Sequence, residues 1–356
     1  MSLQCGNTPQ PFNAFSIFMS LTYRPLGRNG LRVSPLCLGT MMFGGETDEP
    51  TSHRIIARAR EQGINFIDTA DGYAKFQSEV VVGNAIRAQR DDWVLATKFA
   101  SPRGDDPNSQ GATRKYIRRA VEGSLKRLGT DYIDIYYQHR EDHLTRPEET
   151  VRALSELVAE GKIRYWGLSN HRAWKIAEYS RVADQLGVDR PIASQPLYNL
   201  ANRQIEFEHL DAADHYGLGV VPYSPLARGV LTAKYQPGAE PGADTRAGRN
   251  DKRIRQTEWR EESLRLAKVI DEHAASRGIS SGQFALAWVL NNRLITAPIV
   301  GPRTEAQWED YLPALQYQFT AEDEALVNSL VTTGHASTPG FNDPGHQFFG
   351  CRPYVG

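Results

Sequence analysis

The sequence predicts an α/β fold, a (β/α)8 TIM barrel, built as a single domain of 356 residues with extra helices and long loops at one face. Three observations lead there. Eight apolar, strand-like runs lie near residues 33–39, 64–69, 93–98, 132–138, 163–169, 192–197, 219–224 and 296–300. Helical periodicity fills the intervals between them. Alternating strands and helices imply parallel pairing through right-handed crossovers, and eight such units close into a barrel. An open doubly wound sheet would call for a GxGxxG turn after an early strand, and none is present.

The elements follow in order. Gly63-Ile-Asn-Phe-Ile-Asp68-Thr-Ala-Asp-Gly-Tyr73 carries a β-branched and aromatic strand that ends in an acid, with a tyrosine five residues later. Trp93-Val-Leu-Ala-Thr-Lys98 is a strand ending in lysine. From Lys115 to Leu128, Ile117, Ala120, Val121, Leu125 and Leu128 share one helix face, and Gly129 sits where a left-handed cap belongs. Tyr132-Ile-Asp-Ile-Tyr-Tyr-Gln-His139 is a strand ending in histidine. The next helix is expected to start with Thr145 as N-cap, Pro147 in its first turn, and Glu148 and Glu149 at the positive end of its dipole. Its apolar face is Val151, Leu154, Leu157 and Val158, and Gly161 closes it. Ile163-Arg-Tyr-Trp-Gly-Leu-Ser169-Asn170 is a further strand with a polar end. Residues 226–260 form a long connection with eight Lys and Arg, a length that is usually functional or disordered. Helical segments near 259–277 and 282–290 precede the last strand. In a barrel, functional groups gather at the C-terminal strand ends, and Asp68, Lys98, His139, Ser169 and Asn170 all fall there. Random placement would rarely do that.

Composition excludes several classes. Charged residues are 23% and net charge is −1, so nothing suggests a nucleic-acid or anionic-membrane surface. Cys5, Cys37 and Cys351 are odd in number and scattered, which argues against a disulfide framework and for a reducing, cytoplasmic setting. Cys37 reads as a small buried apolar residue. No apolar run approaches the ~18–20 residues of a membrane span. The first twenty residues lack a basic n-region and a long apolar stretch, so they make a poor signal peptide. Residues 1–20 are expected to be an extension, with Met19 as the natural start, and residues 333–356 a tail near the active site or a subunit interface. His139 and His143 have the i, i+4 spacing of a helical zinc pair, but the segment continues a strand, and no other Cys/His cluster exists. Metal is rejected.

The blocks GINFIDTADGY, VLATKF, DYIDIYYQH, GKIRYWGLSN, ASQPLYN, VPYSPLARGVLTAKY and IVGPRTEAQWED, running from about 21 to 332, resemble the aldo-keto reductase superfamily, close to its potassium-channel β-subunit branch. Seven blocks in family order are far more specific than a single motif. The resemblance implies an extra helix near 321–331 and a catalytic set of Asp68, Tyr73, Lys98 and His139. The residue types suit carbonyl reduction. A phenol at pKa ~10 is a poor acid unless its phenolate is stabilised, a nearby ammonium lowers that pKa, and a carboxylate keeps a buried ammonium charged. Tyr73 is then the general acid, Lys98 tunes it, Asp68 holds Lys98, and His139 orients the carbonyl. Taken singly, each has a commoner role: a turn cap for Asp68, packing for Tyr73, a solvated end for Lys98.

By the same resemblance the cofactor is NADPH/NADP+. Thr40, Met41 and Asp68 lie beside it, Ser169, Asn170 and Gln195 bind the carboxamide, and Tyr223 stacks on the nicotinamide. The strap Ser224-Pro-Leu226-Ala-Arg-Gly229-Val-Leu-Thr-Ala-Lys234 holds the pyrophosphate, with Arg246 or Arg249 closing over it. Gly301, Arg303 and Gln307 hold the adenosine 2′-phosphate and adenine, and a guanidinium fork there favours NADPH over NADH. The family's usual Glu-Asn is replaced by Asp310-Tyr311, leaving Tyr311 either to stack on adenine or only to pack. Phe43, Tyr73, Tyr198 and the loop after His139 are expected to line the substrate pocket. The aromatic tail with Phe341, Phe348 and Phe349 is expected either to act as a lid or to pack on the barrel or a neighbouring subunit. The partner is a small-molecule carbonyl substrate, an aldehyde or ketone, and an oligomer is compatible with the reading. Two alternatives stand: a nucleotide-binding regulatory subunit with little turnover, and an aldolase using Lys98 as a Schiff-base amine.

Overall fold

The computed structural model describes residues 21–243, 245–249 and 251–346. The expected N-terminal extension, Cys5, Cys351, Phe348 and Phe349 lie outside them. Eight parallel strands form a (β/α)8 barrel: β1 (Cys37–Gly39), β2 (Phe66–Asp68), β3 (Val94–Phe99), β4 (Ile133–Gln138), β5 (Ile163–Ser169), β6 (Ala193–Gln195), β7 (Gly219–Val220) and β8 (Ile299–Val300). Their order in the sheet is β8, then β1 to β7 in sequence. The seam between β7 and β8 is bridged by Thr296 N–H to Val220 O and Ile299 N–H to Pro222 O, both 2.8 Å.

Several strands are shorter than the apolar runs that announced them, and proline is the reason. Pro35, Pro196, Pro222 and Pro298 cannot donate to a ladder. The run 33–39 therefore splits. Arg32–Val33 pairs antiparallel with Arg24–Pro25, and only Cys37–Gly39 joins the barrel. That hairpin sits against the N-terminal end of β7. Gly27 has φ +64°, and a Cβ there would stand 2.2 Å from Gly217 O.

Strand alternation separates two apolar cores. Cys37, Phe66, Val94, Ala96, Ile135, Tyr137 and Ala193 pack inside the barrel. Leu38, Ile67, Leu95, Phe99 and Tyr136 pack outward under the helices. Gly167 makes the interior possible, because a Cβ there would meet the Tyr137 ring at 2.6 Å. The period of two carries the inward series Phe66 to Asp68 and Val94, Ala96 to Lys98.

The helix at Arg114–Leu128 has its expected face, and Gly129 caps it at φ 62°. The Thr145 cap is a correction. The helix Pro147–Ala159 takes Arg146 as N-cap with no side-chain bond, while the Thr145 hydroxyl donates to Asp142 Oδ2 at 2.6 Å. Glu261–Ser276, Ser281–Asn291 and Ala321–Leu330 are the extra helices. The long connection also holds a short helix, Lys252–Thr257, absent from the sequence expectations. Beyond the last helix the chain folds back across the strand ends. Ser337 N–H bonds Ala201 O at 2.9 Å, the Arg260 guanidinium covers the Phe341 ring at 3.9 Å, and Arg253 holds Asp343 at 2.7 and 3.0 Å.

Candidate functional site

At the C-terminal end of β3, Lys98 is fully buried. Its ammonium contacts Asp68 Oδ1, donates to Thr69 O at 2.7 Å, and reaches Tyr73 Oη at 3.3 Å. Asp68 Oδ2 accepts from Gln195 Nε2 at 2.9 Å. Burial pulls the Lys98 pKa down, but Asp68 and Tyr73 more than offset this, and it ends above the ordinary lysine value. Burial pushes Asp68 up against the pull of Lys98. Burial likewise pushes Tyr73 above its usual range, with Lys98 pulling the other way. The expected downward pull of the ammonium is present, and burial exceeds it. In a dry site desolvation outweighs one ammonium. The phenol therefore stays protonated, with the Lys98 ammonium 3.3 Å from its oxygen.

Tyr73 is carried on a tightly held loop. Asp71 binds the Arg103 guanidinium, which lies over Gly72 so closely that a Cβ there would meet it at 2.7 Å. Burial pushes the Asp71 carboxyl up to about 6 despite that partner. Ala74, Lys75 and Phe76 then run through positive φ. The Phe76 ring lies between the guanidiniums of Arg103 and Arg127 at 5.5 and 5.1 Å. His139 follows β4 and stands edge-on to Tyr73, ring centroids 5.9 Å apart. Burial and then Lys98 hold its pKa well below the usual value, so the imidazole is neutral.

The residues at the ends of β5, β6 and β7 bond to one another. Tyr223 donates to Asn170 Oδ1 at 2.7 Å, and Asn170 Nδ2 donates to His139 O at 2.9 Å and Ser169 Oγ at 3.1 Å. Ser169 Oγ donates to Gln195 O at 3.0 Å. Asn170 takes φ 58°, a left-handed conformation that asparagine tolerates. Thr40 Oγ1 donates to Asp68 O at 3.0 Å.

A cavity of about 660 Å3 opens above this floor. Its far wall is cationic: Arg228, Lys234, Arg246, Arg249, Arg253 and Arg303. Carboxylates answer some of them. Glu46 contacts Arg249 and Arg303, and Asp251 accepts from Arg246 at 2.6 Å. Lys234 has no carboxylate partner among the described residues, and burial pulls its pKa down. Gly229 (φ +92°) lets Lys234 close in, since a Cβ there would lie 2.8 Å from its Nζ.

A model of the aldo/keto reductase family matches residues 35–332. A probable voltage-gated potassium channel subunit beta of Oryza sativa is 38% identical over 87% of this chain and 97% of its own length. An uncharacterized oxidoreductase, YrpG, of Bacillus subtilis is 38% identical over 90% of this chain and 98% of its own. Norsolorinic acid reductase B of Aspergillus parasiticus is 34% identical over 87% and 83%. The chain belongs to the aldo/keto reductase family.

Within this aldo/keto reductase, the expected site residues come together. Thr40, Met41, Asp68, Tyr73, His139, Ser169, Asn170, Gln195, Tyr223, Ser224, Leu226, Gly229, Lys234, Gly301, Arg303 and Gln307 all line the one cavity, and Lys98 lies directly behind it. Tyr311 packs on the core and also lines the cavity. Two expectations are corrected. Phe43 and Tyr198 are fully buried and line neither this cavity nor its neighbour. Tyr198 is turned to Glu206, Asn292 and the Trp288 ring. Of the alternatives left open for the tail, Phe341 takes the packing one, held under Arg260. Segment 139–143 runs as a loop, with Glu141 bound to Arg172 at 2.7 Å, and Cys37 is buried with its thiol pKa pushed up. Sequence reasoning missed Arg228, Arg253 and His346 in the lining and Asp71 with Arg103 behind it. The aspartate of the DGY run was the available signal for the last pair. Among the described residues, no helix is long and apolar enough to cross a membrane.

Proposed function

We propose that this protein reduces aldehydes or ketones to alcohols, reversibly, with NADPH. The observation that carries the reading is the buried Lys98 ammonium bonded at once to Asp68, Thr69 O and Tyr73 Oη. An NADP-type cofactor suits the residues around the cavity: the flat face of Tyr223, the glycine that lets Lys234 approach, and an excess of cations over acids on the far wall. Lys234 and the strap from Ser224 to Gly229 would hold its pyrophosphate, Arg303 and Gln307 its adenosine end, and Ser169, Asn170 and Gln195 its carboxamide. When bound, the nicotinamide supplies the hydride to the carbonyl carbon. Neutral His139 orients the carbonyl oxygen by a hydrogen bond. Tyr73 gives that oxygen its phenolic proton, and the alcohol leaves. Lys98 stabilises the phenolate until a solvent proton restores it, and Asp68 keeps Lys98 charged. A lysine held charged cannot act as a Schiff-base nucleophile, which argues against the aldolase alternative. A cytoplasmic setting goes with this reading.

The channel-subunit name of the rice relative favours a second reading, a nucleotide-binding regulatory subunit. NADPH consumption with 4-nitrobenzaldehyde separates the two. Steady turnover is expected of a reductase. Tight NADPH binding with no consumption across a panel of aldehydes, together with capture of a membrane channel, would select the regulator.

A further inference from the structure

Next to the large cavity lies a second one of about 430 Å3. His139, Asn170, Arg253 and His346 line both, so the second opens from the site where the carbonyl would sit. Its chemistry is unlike the aromatic pocket that the sequence suggested. Arg140, Lys252 and Arg253 supply cations, Ser101 and Gln256 supply neutral polar groups, and Pro344 is the main apolar surface. Among the described residues, no carboxylate lines it.

The acids nearest in sequence and space are already engaged. Glu141 accepts from Arg172 N–H and its guanidinium, both at 2.7 Å. Asp142 caps its own loop through Ala112 and Leu144 N–H and the Thr145 hydroxyl. Asp251 binds Arg246 and caps the helix Lys252–Thr257. Asp343 is spent on Arg253. Arg140 and Lys252 are left with no carboxylate partner among the described residues. An ordinary solvated cation faces outward. These two border a concave, acid-free space that ends at His139. Arg140 is near enough to that space to depress the pKa of both His139 and His346.

We infer that the second cavity is an anion subsite, and that the preferred substrates are carbonyl compounds carrying a carboxylate or phosphate group remote from the carbonyl, gripped by Arg140 and Lys252. The inference rests on the reductase reading only for the chemistry at the carbonyl. A guanidinium and a compact ammonium on one cavity suit an oxyanion, and the short apolar surface around Pro344 offers a hydrocarbon tail no comparable grip.

The test compares three aldehydes of similar shape: neutral 4-nitrobenzaldehyde, 4-carboxybenzaldehyde and 4-formylphenyl phosphate. Each is assayed with NADPH and, separately, titrated by calorimetry into protein saturated with NADP+. For at least one anionic aldehyde, kcat/KM is expected to exceed that of the nitro compound by about tenfold or more, mainly through KM, as one charge-assisted contact allows. Which anion gains more distinguishes carboxylate from phosphate. In Arg140→Gln and in Lys252→Gln the ratio of anionic to neutral kcat/KM collapses toward one, and added salt shrinks it in the wild type. Equal kcat/KM for all three aldehydes, or an anion preference that survives both substitutions, overturns the subsite. Anion binding seen by calorimetry and lost in the variants, with no turnover of any aldehyde, keeps the subsite and defeats the reductase reading instead.

Discussion

The floor of the site and its cationic wall are built on opposite principles. On the floor, Lys98, Asp68, Tyr73 and Gln195 come from strand ends or the first turn beyond and satisfy one another, with all but the half-buried Tyr73 fully buried. On the wall, Lys234, Arg249 and Arg303 come from loops and remain partly exposed; Glu46 meets Arg249 and Arg303, and Lys234 has no carboxylate partner among the described residues. A floor of this kind is fixed by sheet register before any ligand arrives, which suits groups that must meet a reacting atom to within a fraction of an ångström. A wall of this kind has charge to spare, which suits gripping an anion. The lesson is that reaction type resides in the barrel and ligand choice in the loops.

The contrast breaks most sharply at Lys98. Lys98→Met is expected to leave the Asp68 carboxylate buried without its cation and to destabilise the fold by about 3–5 kcal/mol, besides abolishing turnover. Urea unfolding measures the loss. A change under 1 kcal/mol would mean that the floor is no more interdependent than the wall.

Acid tests the floor a second way. Burial holds His171 at about 3 and His209 at about 4, behind the ends of β5 and β6. Above the unfolded value of ~6.5 both states are neutral and stability is whole. As pH falls below that, the unfolded chain takes up protons that the native chain refuses, so stability declines until about pH 3–4 and the histidines then add no further loss. Urea midpoints measured from pH 8 to 4 should show this slope, reduced by up to one proton in His209→Gln. A flat profile across the window would contradict the burial of these rings.

Arg303→Ala sharpens the wall. NADPH affinity is expected to fall by roughly 10–100-fold, as for one charged hydrogen-bonded contact, and NADH affinity by much less. Fluorescence titration with both cofactors reads it. Equal losses would move Arg303 off the 2′-phosphate.

The same division explains how much could be read in advance. Asp68 and Lys98 were legible because period-two alternation makes a polar strand end point where its apolar predecessors point. Helix faces such as Ile117 to Leu128 were legible for the matching reason at period 3.6. The strands at Cys37, Gly219 and Ile299 were overdrawn, since apolar runs ignored the prolines that cut the ladders. Thr145 lies one residue before the cap position Arg146, and its hydroxyl donates to Asp142 rather than accepting from a helix N–H. Arg228, Arg253, Arg140 and Lys252 gave no signal, because nothing in a charged loop says which cations face inward. That is decided by packing of the short helix Lys252–Thr257 and by the returning tail through Asp343. Phe43 and Tyr198 were misplaced for a related reason: an aromatic near a strand end is as useful to the outer core as to a pocket.

The most direct measurement is the pair of constants kcat and NADPH Kd for Tyr73→Phe. If the phenol acts only as acid, kcat falls by about 10²–10⁴-fold while the Kd moves less than twofold. Near-normal kcat in a variant that still binds NADPH would show that Tyr73 is not the proton donor and that the buried Lys98–Asp68 pair serves structure alone.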